Sequence, residues 1–230
     1  MPLGLSKRVM KEVLHQCMGW VEVWALFIPL IAFIGIKRYT RMLNPILFYI
    51  LVAIVLNFAQ DYIQKYGIKL RFTSHPGNNG FIYNTHSIFR FFCFSLFFIQ
   101  LKQPFLSSLK KIFYLIFIVF IIINFWLYES FLDFSSRTLA VETALLLFFC
   151  LIYYFNLLQY DEPIAHSQQF DFWIITGISI FVVLVFPIYL FYNNLSAYQQ
   201  FARQIWNIHN IAYIILCCFF AKGIYETKNI

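Results

Sequence analysis

The stretch FWIITGISIFVVLVFPIYLFY, residues 172–192, runs for 21 positions without a charged side chain. Its apolar residues are continuous rather than alternating, which fits a helix and not a strand of a membrane barrel. An α-helix rises about 1.5 Å per residue, so this run matches the roughly 30 Å hydrocarbon layer of a bilayer. Six more runs have the same character: Cys17–Ile36, Pro45–Asp61, Ile82–Leu101, Ile112–Tyr128, Leu139–Leu158 and Ile205–Ala221. The expected fold is therefore an all-α integral membrane protein, a bundle of seven transmembrane helices. The boundaries carry helix punctuation. Asn44-Pro45 opens the second run, Pro104 follows the third, Lys110-Lys111 opens the fourth, Asp161-Glu162-Pro163 follows the fifth and Gly223 closes the seventh.

Composition agrees with this reading. The 230 residues are 61% hydrophobic and 22% aromatic, and only 12% are charged. A soluble domain carries about a quarter charged residues. That contrast excludes a soluble enzyme, a disordered chain, a secreted disulfide scaffold and a nucleic-acid-binding module. The net charge of +7 comes from cations that flank the apolar runs, where they meet lipid headgroups. The five cysteines, Cys17, Cys93, Cys150, Cys217 and Cys218, lie in or beside apolar runs without C-x-x-C spacing, so they read as small buried hydrophobes and not as metal or redox ligands.

Outside the bundle little chain remains. Residues 1–16 read as a short N-terminal interfacial helix, with Val9, Met10, Val13 and Leu14 on one face and Lys7, Arg8, Lys11 and Glu12 elsewhere. Residues 17–222 form the transmembrane domain and 223–230 a C-terminal tail. The loops are far shorter than the roughly 50 residues of the smallest domains, so any signal has to leave through a separate partner protein. The cations divide evenly between the two sides. The most compact basic loops, Lys37–Asn44 and Lys102–Lys111, lie opposite the N-terminus, which favours an N-terminus outside and those loops inside.

The polar residues of the spans are not scattered. Glu22, Asn57, Gln60, Asp61, Asn84, His86, Arg90, Asn124, Glu142, Thr143, Asn207, His209 and Asn210 all fall in the half of their spans that lies on the N-terminal side. The opposite half is Ile, Leu, Val and Phe, interrupted mainly by Ser95 and Asn156. A shared depth predicts a polar crater over an apolar floor, which suits a binding pocket better than an open pore. Arg90 lies roughly 12 Å inside the third span, with His86 one turn earlier on the same face. A lone guanidinium there would cost about 2.5–3.5 kcal/mol on insertion scales. Glu142, Glu22 or Asp61 can supply its counter-ion. Two readings stand side by side: a structural ion pair, or an anchor for an anionic ligand. Glu22 and Asp61, nearer the interface, read as solvated rim residues. Trp206, His209 or Asn210, and Tyr213 share a helical face, either as packing contacts or as a pocket wall.

The stretches Asn84–Gln100, Asp171–Asn193 (with Phe172-Trp173, Gly177 and Pro187) and Trp206–Gly223 resemble small, uncharacterised seven-transmembrane-helix proteins of Bacteroidota. The resemblance implies a bacterial inner-membrane protein with a sensory role and assigns no role to any residue. Microbial rhodopsins also have seven spans, but they need a lysine midway along the last helix, and here that helix has only Lys222 at its end.

The expected function is a receptor-like or sensory membrane protein, not an enzyme. It would take a small polar or anionic ligand from Arg90, His86, Glu142, Asn207, His209 and Asn210, with no cofactor. A transporter or proton-coupled carrier is the first alternative. A zinc-dependent intramembrane lipid hydrolase using His86, His209 and a carboxylate is the next, although no H-E-x-x-H or G-x-S-x-G motif supports it.

Overall fold

The computed structural model describes residues 17–36, 40–71, 73, 75–101, 104–159, 169–192 and 199–227. The fold is helical, at 85% helix, with no strand among the described residues. The interfacial helix expected over residues 2–15 lies outside the described residues. Seven helical elements follow one another: α1 (Val21–Ile34), α2 (Asn44–Tyr66), α3 (Gly80–Gln100), α4 (Pro104–Ile123), α5 (Ser136–Gln159), α6 (Phe170–Leu190) and α7 (Gln199–Glu226). Five of them, α2, α3, α5, α6 and α7, are long and apolar enough to cross a membrane. Two further apolar helices, Val21–Ile34 and Ile112–Tyr128, are shorter, so seven full spans are more than helix length and composition establish.

Local chemistry explains the interruptions. Helix α1 breaks into Val21–Trp24 and Phe27–Ile34. Pro29 has no N–H to give Ala25, four residues back, and its ring crowds that carbonyl, so the helix yields at Ala25–Leu26. Helix α2 opens on Pro45 and stops at Gly67, whose φ of 58° is the left-handed cap that glycine adopts without strain. Helix α3 begins at Gly80 because nothing larger fits: a Cβ there would stand 2.4 Å from the backbone nitrogen of Phe134. Helix α4 widens into a π-turn over Asn124–Tyr128, closed by the Glu129 N–H donating to the Asn124 carbonyl at 2.9 Å.

Helices α6 and α7 pack most extensively, followed by α5 on α6 and α2 on α3. The α6–α7 seam closes over two glycines. A Cβ on Gly177 would lie 2.6 Å from the Phe219 Cβ, and one on Gly223 would lie 2.6 Å from the Ile174 Cγ1. The interior is filled by Phe91, Phe94, Phe97, Phe98, Phe149, Phe181 and Phe220, with Leu146, Val185 and Leu216. The exterior is just as apolar. Phe48, Leu51 and Val55 of α2, Leu115, Val119 and Ile122 of α4, and Leu151, Phe155 and Leu158 of α5 are exposed. A soluble monomer seldom presents apolar surface of this extent. Its natural solvent is the acyl-chain layer of a lipid bilayer.

Candidate functional site

Three clusters of interior polar groups lie toward one end of the bundle, and α3 contributes to each of them. The first joins α3 to α5. Arg90 donates from Nε to Glu142 Oε1 at 2.6 Å and from Nη2 to Oε2 at 2.8 Å, the two-pronged geometry that a guanidinium offers a carboxylate. Ser87 donates to the same Oε2 at 2.5 Å. The guanidinium carbon lies 5.1 Å from the centre of the Phe181 ring, so α6 covers the face of the pair. Arg90 and Glu142 are only 3% and 0% exposed.

The second cluster fastens the loop between α4 and α5. Asn84 donates to the Phe131 and Asp133 carbonyls at 2.8 and 2.7 Å and accepts from the Ser135 N–H at 3.0 Å. Asn124 donates to Glu129 and Ser135 at 3.0 and 3.1 Å. Both side chains, read from sequence as part of the crater, act here as loop clasps.

The third cluster lies where the starts of α1, α3 and α7 meet the ends of α2 and α6. Glu22 is 6% exposed, so it is not the solvated rim residue that its depth in the chain predicts. Its Oε1 meets His209 Nε2 at 3.0 Å, and its Oε2 accepts from Gln60 at 3.3 Å. The other ring nitrogen of His209, Nδ1, meets the Tyr189 hydroxyl at 3.1 Å. Asn57 donates to the Glu22 backbone carbonyl at 2.8 Å and to the Tyr213 hydroxyl at 3.3 Å, and Tyr213 meets Tyr49 hydroxyl to hydroxyl at 3.1 Å. His86 stacks on Tyr49 at 5.7 Å. Asn210 donates to the Met18 carbonyl at 3.0 Å and ties α7 to the chain before α1.

This third cluster is open. A cavity of about 340 Å³ is bordered by Glu22, Asp61, Gln64 and Asn210, with Tyr83, Tyr192 and Trp206 as aromatic walls. A second space of about 240 Å³ adjoins it, sharing Gln64, Tyr83, Tyr192 and Trp206 and adding Asn79 and Phe134. Such volumes lie at or just below the lower end of small-molecule sites. Several buried polar atoms here have no hydrogen-bond partner: Asn57 Oδ1, Gln60 Oε1, Asp61 Oδ2 and His86 Nε2. Native interiors hold few such atoms, because a buried polar atom ordinarily meets a protein group, a water or an ion.

The six residues expected to form the site therefore do not act as one group. Asn210 borders the cavity, and His209 and His86 lie behind it. Arg90 and Glu142 close on each other against Phe181, whose ring also meets His209. Asn207 is on the exposed side of α7, because it sits roughly 100° around the helix from Trp206. Asp61, Gln64, Tyr83, Tyr192 and Tyr189 complete the arrangement. Of these, Asp61 had a legible signal, a carboxylate inside an apolar run. Tyr189 had none, lying in a run that is otherwise bulk. Among the described residues no three His, Cys, Asp or Glu side chains converge as metal ligands, so the His86, His209 and carboxylate set does not form.

No protein-family model, no curated protein and no solved structure matches this chain.

Proposed function

We propose that the chain is a receptor-like or sensory protein with seven membrane-spanning helices, α1 and α4 completing the set begun by the five longer ones. It takes a small polar ligand into the cavity between α1, α2, α3, α6 and α7 and passes a shift of those helices to a separate signalling protein. The N-terminus faces outward, and the membrane is a bacterial inner membrane, as the resemblance to the seven-span proteins of Bacteroidota implies.

One observation carries this reading. The 340 Å³ cavity is lined by residues that lie at one end of the bundle. Beneath it lie the Tyr49–Tyr213 hydroxyl pair and then Phe94, Leu216, Cys217 and Phe220, all buried. A carrier needs a polar or hydrated route to the far side, whereas a receptor needs only a pocket whose walls belong to helices that can shift. Helix α1 suits such movement, because its break at Ala25–Leu26 lies one turn below Glu22. In this reading the Arg90–Glu142 pair is a fastener that holds α3 to α5 while the pocket helices adjust.

The test is reconstitution of the whole chain into sealed vesicles with an imposed pH gradient. A receptor leaves the gradient as durable as in protein-free vesicles. Accelerated collapse of the gradient that is abolished by Asp61→Asn would replace this reading with a proton-coupled carrier.

A further inference from the structure

We infer that the occupant of the cavity is a small organic ammonium ion, with the Asp61 carboxylate as its counter-ion and Trp206 and Tyr83 as its aromatic walls. This rests on reading the cavity as a ligand site and reverses the sign of ligand charge that Arg90 suggests from sequence.

Charge is the first argument. Two carboxylates, Glu22 and Asp61, border the cavity, and among the described residues no Lys or Arg does. Glu22 already has His209 at 3.0 Å. Among the described residues no cation stands within ion-pair distance of Asp61. Lys65, one turn further along α2, instead lies over the Trp20 ring at 5.3 Å. A carboxylate beside a cavity in a low-dielectric setting is favoured in its charged form by an opposite charge placed close to it.

The second argument is independent of the first. Asn57 and Gln60 are fully buried, and the orientation of each amide is fixed by what its NH2 group meets. Asn57 donates to a carbonyl, and Gln60 donates to the Glu22 carboxylate. Their oxygens, Oδ1 and Oε1, are therefore the atoms left over, and with Asp61 Oδ2 they make three unpartnered acceptors. The three residues are spaced i, i+3 and i+4, so they share one face of α2. Of the three only Asp61 borders the cavity, with Asn57 and Gln60 behind it, and an anion would set a further acceptor against the Asp61 carboxylate. An alkylammonium brings up to three N–H donors. The aromatic lining fits the same occupant, since the faces of Trp and Tyr rings attract organic cations. The neighbouring 240 Å³ space, which shares Trp206 and Tyr83, gives room for an apolar substituent on the amine.

The experiment uses the full chain in lipid nanodiscs and three probes that share one ring: benzylammonium, benzyl alcohol and benzoate. Binding is followed by calorimetry and by the shift in melting temperature. Benzylammonium is expected to saturate and to bind about tenfold or more tightly than the alcohol or benzoate, as for a charge-assisted contact. Asp61→Asn weakens it by about tenfold, and Trp206→Leu by about threefold through loss of the ring face. The comparison among probes on the unaltered chain needs no variant to fold. Equal binding of the alcohol or benzoate overturns the inference, as does full affinity in Asp61→Asn. A shift of the same size from sodium ions alone overturns the organic part of it. Lack of saturation by the amine also overturns it. In that case labelling of a cysteine placed at Gln64, with Cys17 and Cys218 changed to serine, separates two failures. If a membrane-impermeant thiol reagent reaches this cysteine, the pocket stands and only the ammonium falls. If the reagent fails from both sides, the pocket reading falls with it.

Discussion

Two carboxylates, one buried and one half-buried, set the terms of this molecule. Glu142 has both oxygens engaged, by two nitrogens of Arg90 and by Ser87, and is wholly enclosed between α3, α5 and α6. Asp61 is partly buried on α2, has an oxygen with no partner, and faces a cavity. The same side-chain chemistry thus serves two ends. Where every donor and acceptor is matched, a buried ion pair fixes the arrangement of helices, although it adds little net stability over apolar residues of equal shape. In the proposed reading, the unmatched acceptor beside the cavity is what a ligand would meet.

The contrast breaks most visibly at Glu142. Glu142→Leu alone leaves Arg90 buried without a partner and should destabilise the bundle by about 3–5 kcal/mol. Adding Arg90→Met should recover most of that loss, and the coupling between the sites is read from melting temperatures of the two single variants and the double. A smaller effect is expected at the α6–α7 seam. Gly177→Val drives a side chain into Phe219 and should lower stability by about 1–3 kcal/mol in the same assay. At Asp61 the sign reverses. Asp61→Asn removes a charge that has no counter-ion, so melting without added ligand should be unchanged or higher, by up to about 1 kcal/mol, as stabilising changes at binding sites often are. The least effect is expected at Asn207, on the exposed side of α7, where Asn207→Ala should change both stability and probe binding by no more than about 0.5 kcal/mol.

Much of this contrast is legible in the sequence, but only along each helix and not between helices. Runs such as residues 172–192 announce membrane-length helices because apolar continuity is a local property. The crowding of polar groups at one end is also local, since depth along a helix follows from counting residues. Pairing is not local. Glu142, Glu22 and Asp61 all lie toward the same end of their helices, and only the placement of α5 beside α3 decides that Arg90 takes Glu142. Asn207 shows a related limit. It has the right depth but the wrong phase, and the face shared by Trp206, Asn210 and Tyr213 already pointed elsewhere. Glu22 looked like a rim residue because it lies near a helix start, and the chain around Met18 that covers it is held by Asn210 from the other end of the sequence.

The central claim is a cavity open at one end of the bundle above a sealed apolar floor. Two-sided thiol labelling in sealed membranes tests it most directly, comparing a cysteine placed at Gln64 with the native Cys217, which is fully buried below the Tyr49–Tyr213 pair. The account predicts that an impermeant reagent modifies the Gln64→Cys position from one face of the membrane only and leaves Cys217 untouched from both. Modification of Cys217 from either face, or silence at position 64 from both, would contradict it.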